Sequence, residues 1–514
     1  MKKIKPTEVQ LKIIQDIEGS IVVTAGAGTG KTGVLVEKIQ YELENKQCNY
    51  KTIAGITFTI KAANEIKERL NIQDDDVFIG TNNSFAIQEV ISPFMWDVYG
   101  KDFKHDFDTN YMYKVNNFQD GLSYVKEKTA ICSYSDNKHN FVFELALDIL
   151  KKSTAAQNYL KSKYFKLFID EYQDCDKSMN EFFMYIKNSL QINLFIVGDN
   201  KQSIYIWRGA APELFNNLLS DKTFKSYELN ENFRCTRQIQ NLSNILYDKT
   251  KKLYEQCDDK DSVILANYND GNIYTAIDRI LQKELHTAVL SRTRSSALNL
   301  ANELNKLGND FVFVPQLPID ELTSKDSWIY RAIADYYFTR NIYNFFEYIP
   351  VESVDRYSLI KETKDFVAKN LVDLFECVSN KEVFYQKLEE FARSFECECN
   401  KDISNFLINT ISEKENKIAF YNIRNKSQSM TLHSSKGKEF QQVVIFAEDF
   451  NQADASSESL NLLYVAVTRA KNRLIIMTPN FNNDFIIKVL KDRFEAVNIK
   501  SKDIFNVVNI KNDD

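Results

Sequence analysis

The sequence predicts an α/β protein built on parallel sheets, with two mainly helical insertions. Three observations carry this. Apolar runs suited to strands buried on both faces occur at 21–23, 52–58, 166–170, 193–199, 287–292, 443–447 and 473–478. Helical patterns separate them, the alternation that builds α/β layers. The stretches 87–160 and 318–427 differ, being dominated by aromatics and charges, with helical spacing in Ile329, Ile333, Tyr336 and in Phe384, Leu388, Phe391, Phe395. Those aromatic stripes read most simply as core.

At 514 residues the chain exceeds one ordinary core, so three or four folding units are expected. Hydrophobic residues at 44% and charged residues at 26% describe a soluble globular protein. No apolar stretch approaches bilayer length and the start "MKKIKPTEVQ" lacks a signal-peptide core, so a cytoplasmic protein with no membrane partner is expected. Eight scattered cysteines are no disulfide framework; Cys397 and Cys399 lie close together, but no histidine is near enough to suggest zinc. A net charge of -6 argues against a basic coat while leaving room for a local basic groove that binds nucleic acid.

The first strand leads into Ala25-Gly26-Ala27-Gly28-Thr29-Gly30-Lys31-Thr32, and Val34, Leu35, Lys38 and Ile39 follow at helical spacing. Glycines let backbone N–H groups approach an anion, and the helix start adds its positive dipole end. The stretch fits the phosphate-binding loop pattern, with Ala25 in place of the first glycine. Lys31 would reach the β- and γ-phosphates and the Thr32 hydroxyl would ligate Mg2+. A flexible turn with an incidental lysine is the bland alternative, but strand, loop, Lys-Thr and helix all fall in the required order.

A second signal is "FIDEYQD", in which Asp170-Glu171 ends a hydrophobic strand. Doubly wound sheets gather functional groups at such carboxyl ends. Asp170 would help hold the metal, and Glu171 would orient or deprotonate the attacking water.

The blocks "AGAGTGKT", "GITFTIKAA", "FIDEYQD", "VGDNKQSIYIWRGA", "LNENFRC", "MTLHSSKGKEF" and "LLYVAVTRAK" resemble, in order, the motif series of the UvrD/PcrA/Rep-like superfamily 1 DNA helicases. The resemblance spans Gln10 to Lys471 and implies two RecA-like motor domains with one nucleotide between them. It implies a first motor domain over 1–86 and 161–233, a second over 234–317 and 428–514, and reduced helical insertions at 87–160 and 318–427. Gln10 matches the glutamine that reads the adenine edge, Gln202 the residue that senses the γ-phosphate, and Arg234 and Arg469 the arginines delivered to that phosphate on closure. Arginine suits this task because it stays charged and offers donors in a rigid fork. ATP and Mg2+ are the implied cofactors, with dATP, GTP and dGTP left open.

Single-stranded DNA needs stacking platforms and phosphate donors. The stretch "ITFT" offers Thr57, Phe58 and Thr59, and "SIYIWRG" offers Tyr205, Trp207 and Arg208; the resemblance implies that Phe58 and Trp207 line the track on which bases stack and that His433 lies near DNA between the motor domains. Where the family has a Phe-His pair, this chain has Asn82 and Asn83, which puts stacking or a histidine contact there in question and leaves amide hydrogen bonds to phosphate open, with Asn82 the candidate. The usual leucine of the "KGLEF" block is Lys438.

Two functions follow from the resemblance. One is a DNA-dependent nucleoside triphosphatase that translocates or unwinds single-stranded or tailed DNA in the 3′-to-5′ sense. The other is a subunit that senses nucleotide and DNA ends and regulates a nuclease. The short insertions and phrases such as "KYFKLFIDEYQD" resemble compact helicase-like components of bacterial anti-phage defence, which implies a nuclease partner in a large hetero-oligomer.

Overall fold

The computed structural model describes residues 5–510 except 47, 49, 71–76, 105–106, 137, 260, 269–270, 316, 323–325, 350–355, 396, 398, 400, 422–425, 451–456, 480–484, 496–497 and 501–502. The first part of the chain contributes β1 (Ser20–Ala25), β2 (Thr52–Thr57), β3 (Phe78–Thr81), β4 (Asp108–Val115), β5 (Ala130–Tyr134), β6 (Tyr164–Ile169), β7 (Asn193–Gly198) and β8 (Phe224–Leu229). The second part contributes β9 (Val263–Asn267), β10 (Thr287–Ser291), β11 (Phe311–Phe313), β12 (Ser427–Thr431), β13 (Phe440–Phe446), β14 (Ala470–Thr478) and β15 (Asn506–Asn509).

Two large parallel sheets result. The first runs β3-β2-β6-β7-β1-β8 and the second β11-β12-β10-β13-β14-β9-β15. The α/β expectation with parallel sheets therefore holds. Burial explains why the apolar runs are continuous: Val22, Ile56, Leu167 and Ile196 enter the core on one face of the first sheet, while Ile21, Val23, Phe168 and Val197 enter the core on the other. The second sheet repeats the device, with Leu265, Val443 and Ile476 on one face and Ile264, Val444 and Ile475 on the other.

The segment 87–160 does not make a core of its own. Val90, Met95, Phe141 and Leu145 join the same apolar cluster as Val22 and Leu167 of the first sheet. It also holds a small parallel pair, β4 with β5, that helical spacing did not announce. Residues 317–420, in contrast, gather a separate cluster around Ile329, Ile333, Phe345, Phe384 and Leu388, so that aromatic stripe is core.

Two helices frame the glycine loop. The first, α1 (Glu8–Gln15), starts with a capping box in which Gln10 accepts the Thr7 backbone N–H at 2.9 Å and Thr7 accepts that of Gln10 at 3.2 Å. The second, α2 (Lys31–Glu44), follows Gly30, whose φ of 82° is a left-handed value that suits glycine. Lys38 of α2 is fully buried and donates to the Ile14 and Asp16 carbonyls at 3.1 and 2.7 Å, which pins the carboxyl end of α1 to α2. No helix among the described residues is long and apolar enough to cross a membrane.

Candidate nucleotide and DNA site

The carboxyl ends of the first sheet converge on the glycine loop. β1 delivers Ala25 to Lys31, β6 delivers Asp170 and Glu171, and β7 delivers Asp199 and Gln202. Gln10 reaches across from α1, its Nε2 donating to the Thr29 carbonyl at 3.1 Å. Thr29 folds its hydroxyl back onto the Gly26 carbonyl at 2.8 Å. Thr32 lies in the first turn of α2, beside Lys31.

Lys31 Nζ pairs with Glu171 Oε1 at 3.1 Å. Burial opposes the Lys31 charge, but Glu171, Asp199 and Asp170 together hold its pKa above the usual lysine value. The two strand-end carboxylates separate in the opposite sense. Burial, with Glu171 beside it, pushes Asp170 up, against the pull of Lys31; for Glu171 burial is outweighed by Lys31 and Lys436, so its pKa falls. Asp170 is 5% exposed and accepts the Glu171 backbone N–H at 2.9 Å. The Asp170 carboxyl at the end of β6 and the Thr32 hydroxyl in the first turn of α2 are oxygen donors of the kind that suits a hard divalent cation. Glu171 has φ 54°, a left-handed backbone that a non-glycine residue rarely adopts and that clusters at functional sites.

Groups from the second sheet meet the same loop. The Tyr464 hydroxyl accepts the Ala27 backbone N–H at 3.1 Å and donates to Asp199 Oδ2 at 3.2 Å. Gln202 Nε2 donates to that same oxygen at 2.8 Å. The Phe233 N–H donates to the Gly28 carbonyl at 2.9 Å, and a Cβ built on Gly28 would lie 2.7 Å from Arg234 Cβ. Arg234 pairs with Glu439 at 2.8 Å and reaches the Thr468 carbonyl at 3.4 Å. Arg469 is 2% exposed and donates to the Val465 and Lys438 carbonyls, each at 3.0 Å, and to the Thr468 hydroxyl at 3.3 Å. Burial, with Arg234 adding to it, pushes the Arg469 guanidinium down to about 10. All of its hydrogen bonds named here go to neutral acceptors, so the field around it favours an incoming anion.

The candidate DNA residues form a second group alongside. Trp207 is 52% exposed, with the Arg208 guanidinium 4.6 Å over its ring and 5.6 Å from the Tyr205 ring. The Tyr205 and His433 rings lie 6.3 Å apart, and Lys436 Nζ sits 4.7 Å over Tyr205. Burial lowers the His433 pKa, and Arg292, Arg208 and Lys436 lower it further, which marks a local concentration of positive charge. Phe58 is half-buried against the core of the first sheet. Thr57 is fully buried and donates its hydroxyl to the Thr59 carbonyl at 3.0 Å, so it shapes the loop that carries Phe58. Asn82 is 3% exposed, and neither its Oδ1 nor its Nδ2 has a hydrogen-bond partner among the described residues. Asn83 instead donates to the Tyr111 hydroxyl at 2.8 Å. Burial, with Lys61 nearby, pushes Lys438 down to about 8.

Several site residues carry no signal of their own in the sequence. Tyr464, Asp199, Glu439 and Lys436 stand inside the recognisable blocks, yet they have partners far along the chain. Position within a block is the one clue to them.

Two family models match the chain: an AAA domain over residues 10–208 and a UvrD-like helicase C-terminal domain over residues 427–477. With the two parallel sheets and the shared glycine-loop site, the chain belongs to the UvrD-like helicase family and is an ATP-dependent helicase. Among its relatives is Gabija protein GajB of Bacillus cereus (strain VD045), 39% identical over 95% of this chain and 98% of that one. The ATP-dependent DNA helicase Rep of Buchnera aphidicola subsp. Schizaphis graminum is 24% identical over 90% of this chain and 92% of its own. The ATP-dependent DNA helicase PcrA of Staphylococcus aureus (strain Mu50) is 27% identical over 46% of this chain and 39% of its own.

Proposed function

We propose that this chain hydrolyses ATP, with dATP, GTP and dGTP as further candidate substrates, in response to DNA, and that the cycle drives 3′-to-5′ translocation or unwinding of single-stranded or tailed DNA. The observation that carries this reading is that Tyr464 and the 232–234 segment, which belong with the second sheet, rest on Ala27 and Gly28 of the glycine loop. A phosphate bound there is therefore felt by both sheets.

In this reading Lys31 leaves Glu171 for the phosphate oxygens, and the freed carboxylate orients and deprotonates the attacking water. Thr32 and Asp170 would hold Mg2+, which supplies charge neutralisation when bound. Arg234 and Arg469 turn toward the transferred phosphoryl group, whose oxygens carry the developing charge. Gln202 shares Asp199 with Tyr464 and leads directly into Tyr205, Trp207 and Arg208, so nucleotide state and DNA track are joined by one short loop. The domain limits proposed are those given by the motif series.

The similarity to Gabija protein GajB supports a role in bacterial anti-phage defence, in the cytoplasm, beside a GajA-like nuclease in a large hetero-oligomer. The short unit at 318–427 favours a second reading, a subunit that senses nucleotide and DNA ends and regulates that nuclease with little unwinding of its own.

The test is hydrolysis by the purified chain with and without single-stranded or tailed DNA, beside Glu171→Gln and a strand-displacement assay. DNA-stimulated hydrolysis that the variant lacks, with strands separating, supports the motor. Stimulated hydrolysis without separation supports the sensor, and hydrolysis indifferent to DNA defeats both.

A further inference from the structure

Gln173 is 0% exposed and lies between the two halves of the hydrolysis site. Its Nε2 donates to Glu171 Oε2 at 2.5 Å, and its Oε1 accepts the Asp199 backbone N–H at 2.9 Å. Its carbonyl accepts the Ser203 hydroxyl at 3.2 Å. One buried amide thus ties the acidic strand end to the loop that carries Asp199 and Gln202. The neighbouring strand makes room for it: a Cβ on Gly198 would lie 2.9 Å from Gln173 Oε1 and 3.1 Å from the Phe215 ring.

Glu171 needs such support. Its backbone is in the left-handed region, and one carboxylate oxygen is held by Lys31. When Lys31 turns to a phosphate, Gln173 is the side chain that still grips the other oxygen. The amide cannot take up a proton at neutral pH and does not reach the reacting atoms; its work is orientation. We propose that Gln173 is a positioning residue for hydrolysis, fixing Glu171 Oε2 so that Oε1 faces the attacking water, and anchoring that geometry to the Asp199 loop. The proposal rests on the reading of Glu171 as the group that activates water.

Two substitutions separate orientation from folding. Gln173→Glu keeps an acceptor for the Asp199 N–H but loses the donor to Glu171; Gln173→Met removes both hydrogen bonds without adding charge. Each should lower kcat by about 10- to 100-fold, a fraction of what general-base catalysis contributes. Equilibrium affinity for a fluorescent ATP analogue should stay near that of the parent chain, while the melting temperature falls modestly in both variants, because methionine leaves the buried Asp199 N–H unpaired and glutamate sets a second carboxylate against Glu171. In a Glu171→Gln background either change should cost less than about twofold more, because the group it positions is gone. Unchanged kcat in both variants overturns the proposal, and so does a kcat loss matched by equal losses of affinity and melting temperature, or full additivity in the Glu171→Gln background. If Glu171→Gln itself hydrolyses ATP at the parent rate, the reading of Glu171 fails first, a result distinct from the others.

Discussion

Asp174 and Lys436 form an ion pair that joins the segment after β6 to the segment after β12. Their side chains are 4% and 13% exposed. Because Lys436 also lies over the Tyr205 ring, one cation touches an acidic loop beside the candidate nucleotide site and an aromatic of the candidate DNA track. Burial pushes Asp174 up to about 6 in spite of the opposing pull of Lys436. Burial also opposes the charge on Lys436, but Asp174 and Glu171 keep its pKa above the ordinary value.

Removing one partner should expose the cost of this pair. Lys436→Met leaves a buried carboxylate without its cation, a change worth about 3 to 5 kcal/mol. Asp174 already has a folded pKa above its unfolded one, and losing Lys436 raises it further. The folded state then binds the proton more tightly, so stability of the variant falls as pH rises toward its folded pKa, which lies above the parent's value of about 6, and is regained as pH drops toward the unfolded carboxylate range. Urea melts of Lys436→Met at pH 5.5 and 8, as round conditions on either side of about 6, should show the larger deficit at the higher pH. The double variant Asp174→Asn, Lys436→Met should regain most of the loss and most of the pH independence; a deficit equal at both pH values would refute the account.

Trp207 offers the clearest test of the DNA track. Its ring is half exposed under the Arg208 guanidinium, an arrangement suited to a base that inserts between stacking partners. Trp207→Ala should weaken binding of single-stranded DNA by about 1 to 3 kcal/mol, and Trp207→Phe by less. Arg208→Gln should act mainly on the salt dependence, lowering the slope of log K against log salt by about 0.7 if it meets one phosphate. Anisotropy titrations with a labelled oligonucleotide at several salt concentrations measure both. Unaltered affinity in Trp207→Ala removes that residue from the track.

The central strands were legible because a strand buried on both faces must be apolar at every position, as 21–23, 167–169 and 443–446 are. Strand β8 was not, since Lys225, Ser226 and Glu228 face solvent between buried Phe224 and Leu229. Strand β11 has three residues, too few for a period, and β4 with β5 is hidden in a region whose aromatics mimic helical spacing. The glycine loop and acidic strand end could be read because their chemistry is local. Tyr464 on Ala27, 437 residues apart, and Lys436 on Asp174, 262 residues apart, leave no periodic trace. Such contacts exist once the sheets are assembled.

Gly28 tests how closely the second-sheet segment must approach the loop. Its φ is 75°, and a Cβ there would lie 2.4 Å from Asn232 Oδ1 and 2.7 Å from Arg234 Cβ. Gly28→Ala therefore carries backbone strain of about 1 to 3 kcal/mol and pushes residues 232–234 outward. Hydrolysis should fall at least about tenfold as that strain is relieved by opening of the contact. Gly33→Ala, in α2 with nothing within 4 Å of its Cβ, should be neutral or slightly stabilising. Equal effects of the two substitutions on kcat would argue against a role for close approach.

The two arginines should separate catalysis from architecture. Arg234 is tethered mainly by Glu439 and one long bond to the Thr468 carbonyl, so it can swing toward a phosphate at little structural cost. Arg234→Ala is expected to lower kcat by about 10³-fold or more, the scale associated with a charge delivered to the transferred phosphoryl group, while nucleotide affinity changes far less. Arg469 is buried, and its guanidinium satisfies the Val465 and Lys438 carbonyls. Arg469→Ala should lose a comparable amount of kcat and, in addition, about 1 to 3 kcal/mol of stability, because those acceptors are left unpaired. Lysine cannot reproduce the fork, so Arg469→Lys should recover little of either. Single-turnover hydrolysis paired with thermal melts distinguishes the cases: a stable Arg234→Ala protein with parent-like turnover would remove Arg234 from the chemistry, whereas an Arg469→Ala protein that melts normally would show that its carbonyl contacts do not hold the lobe together.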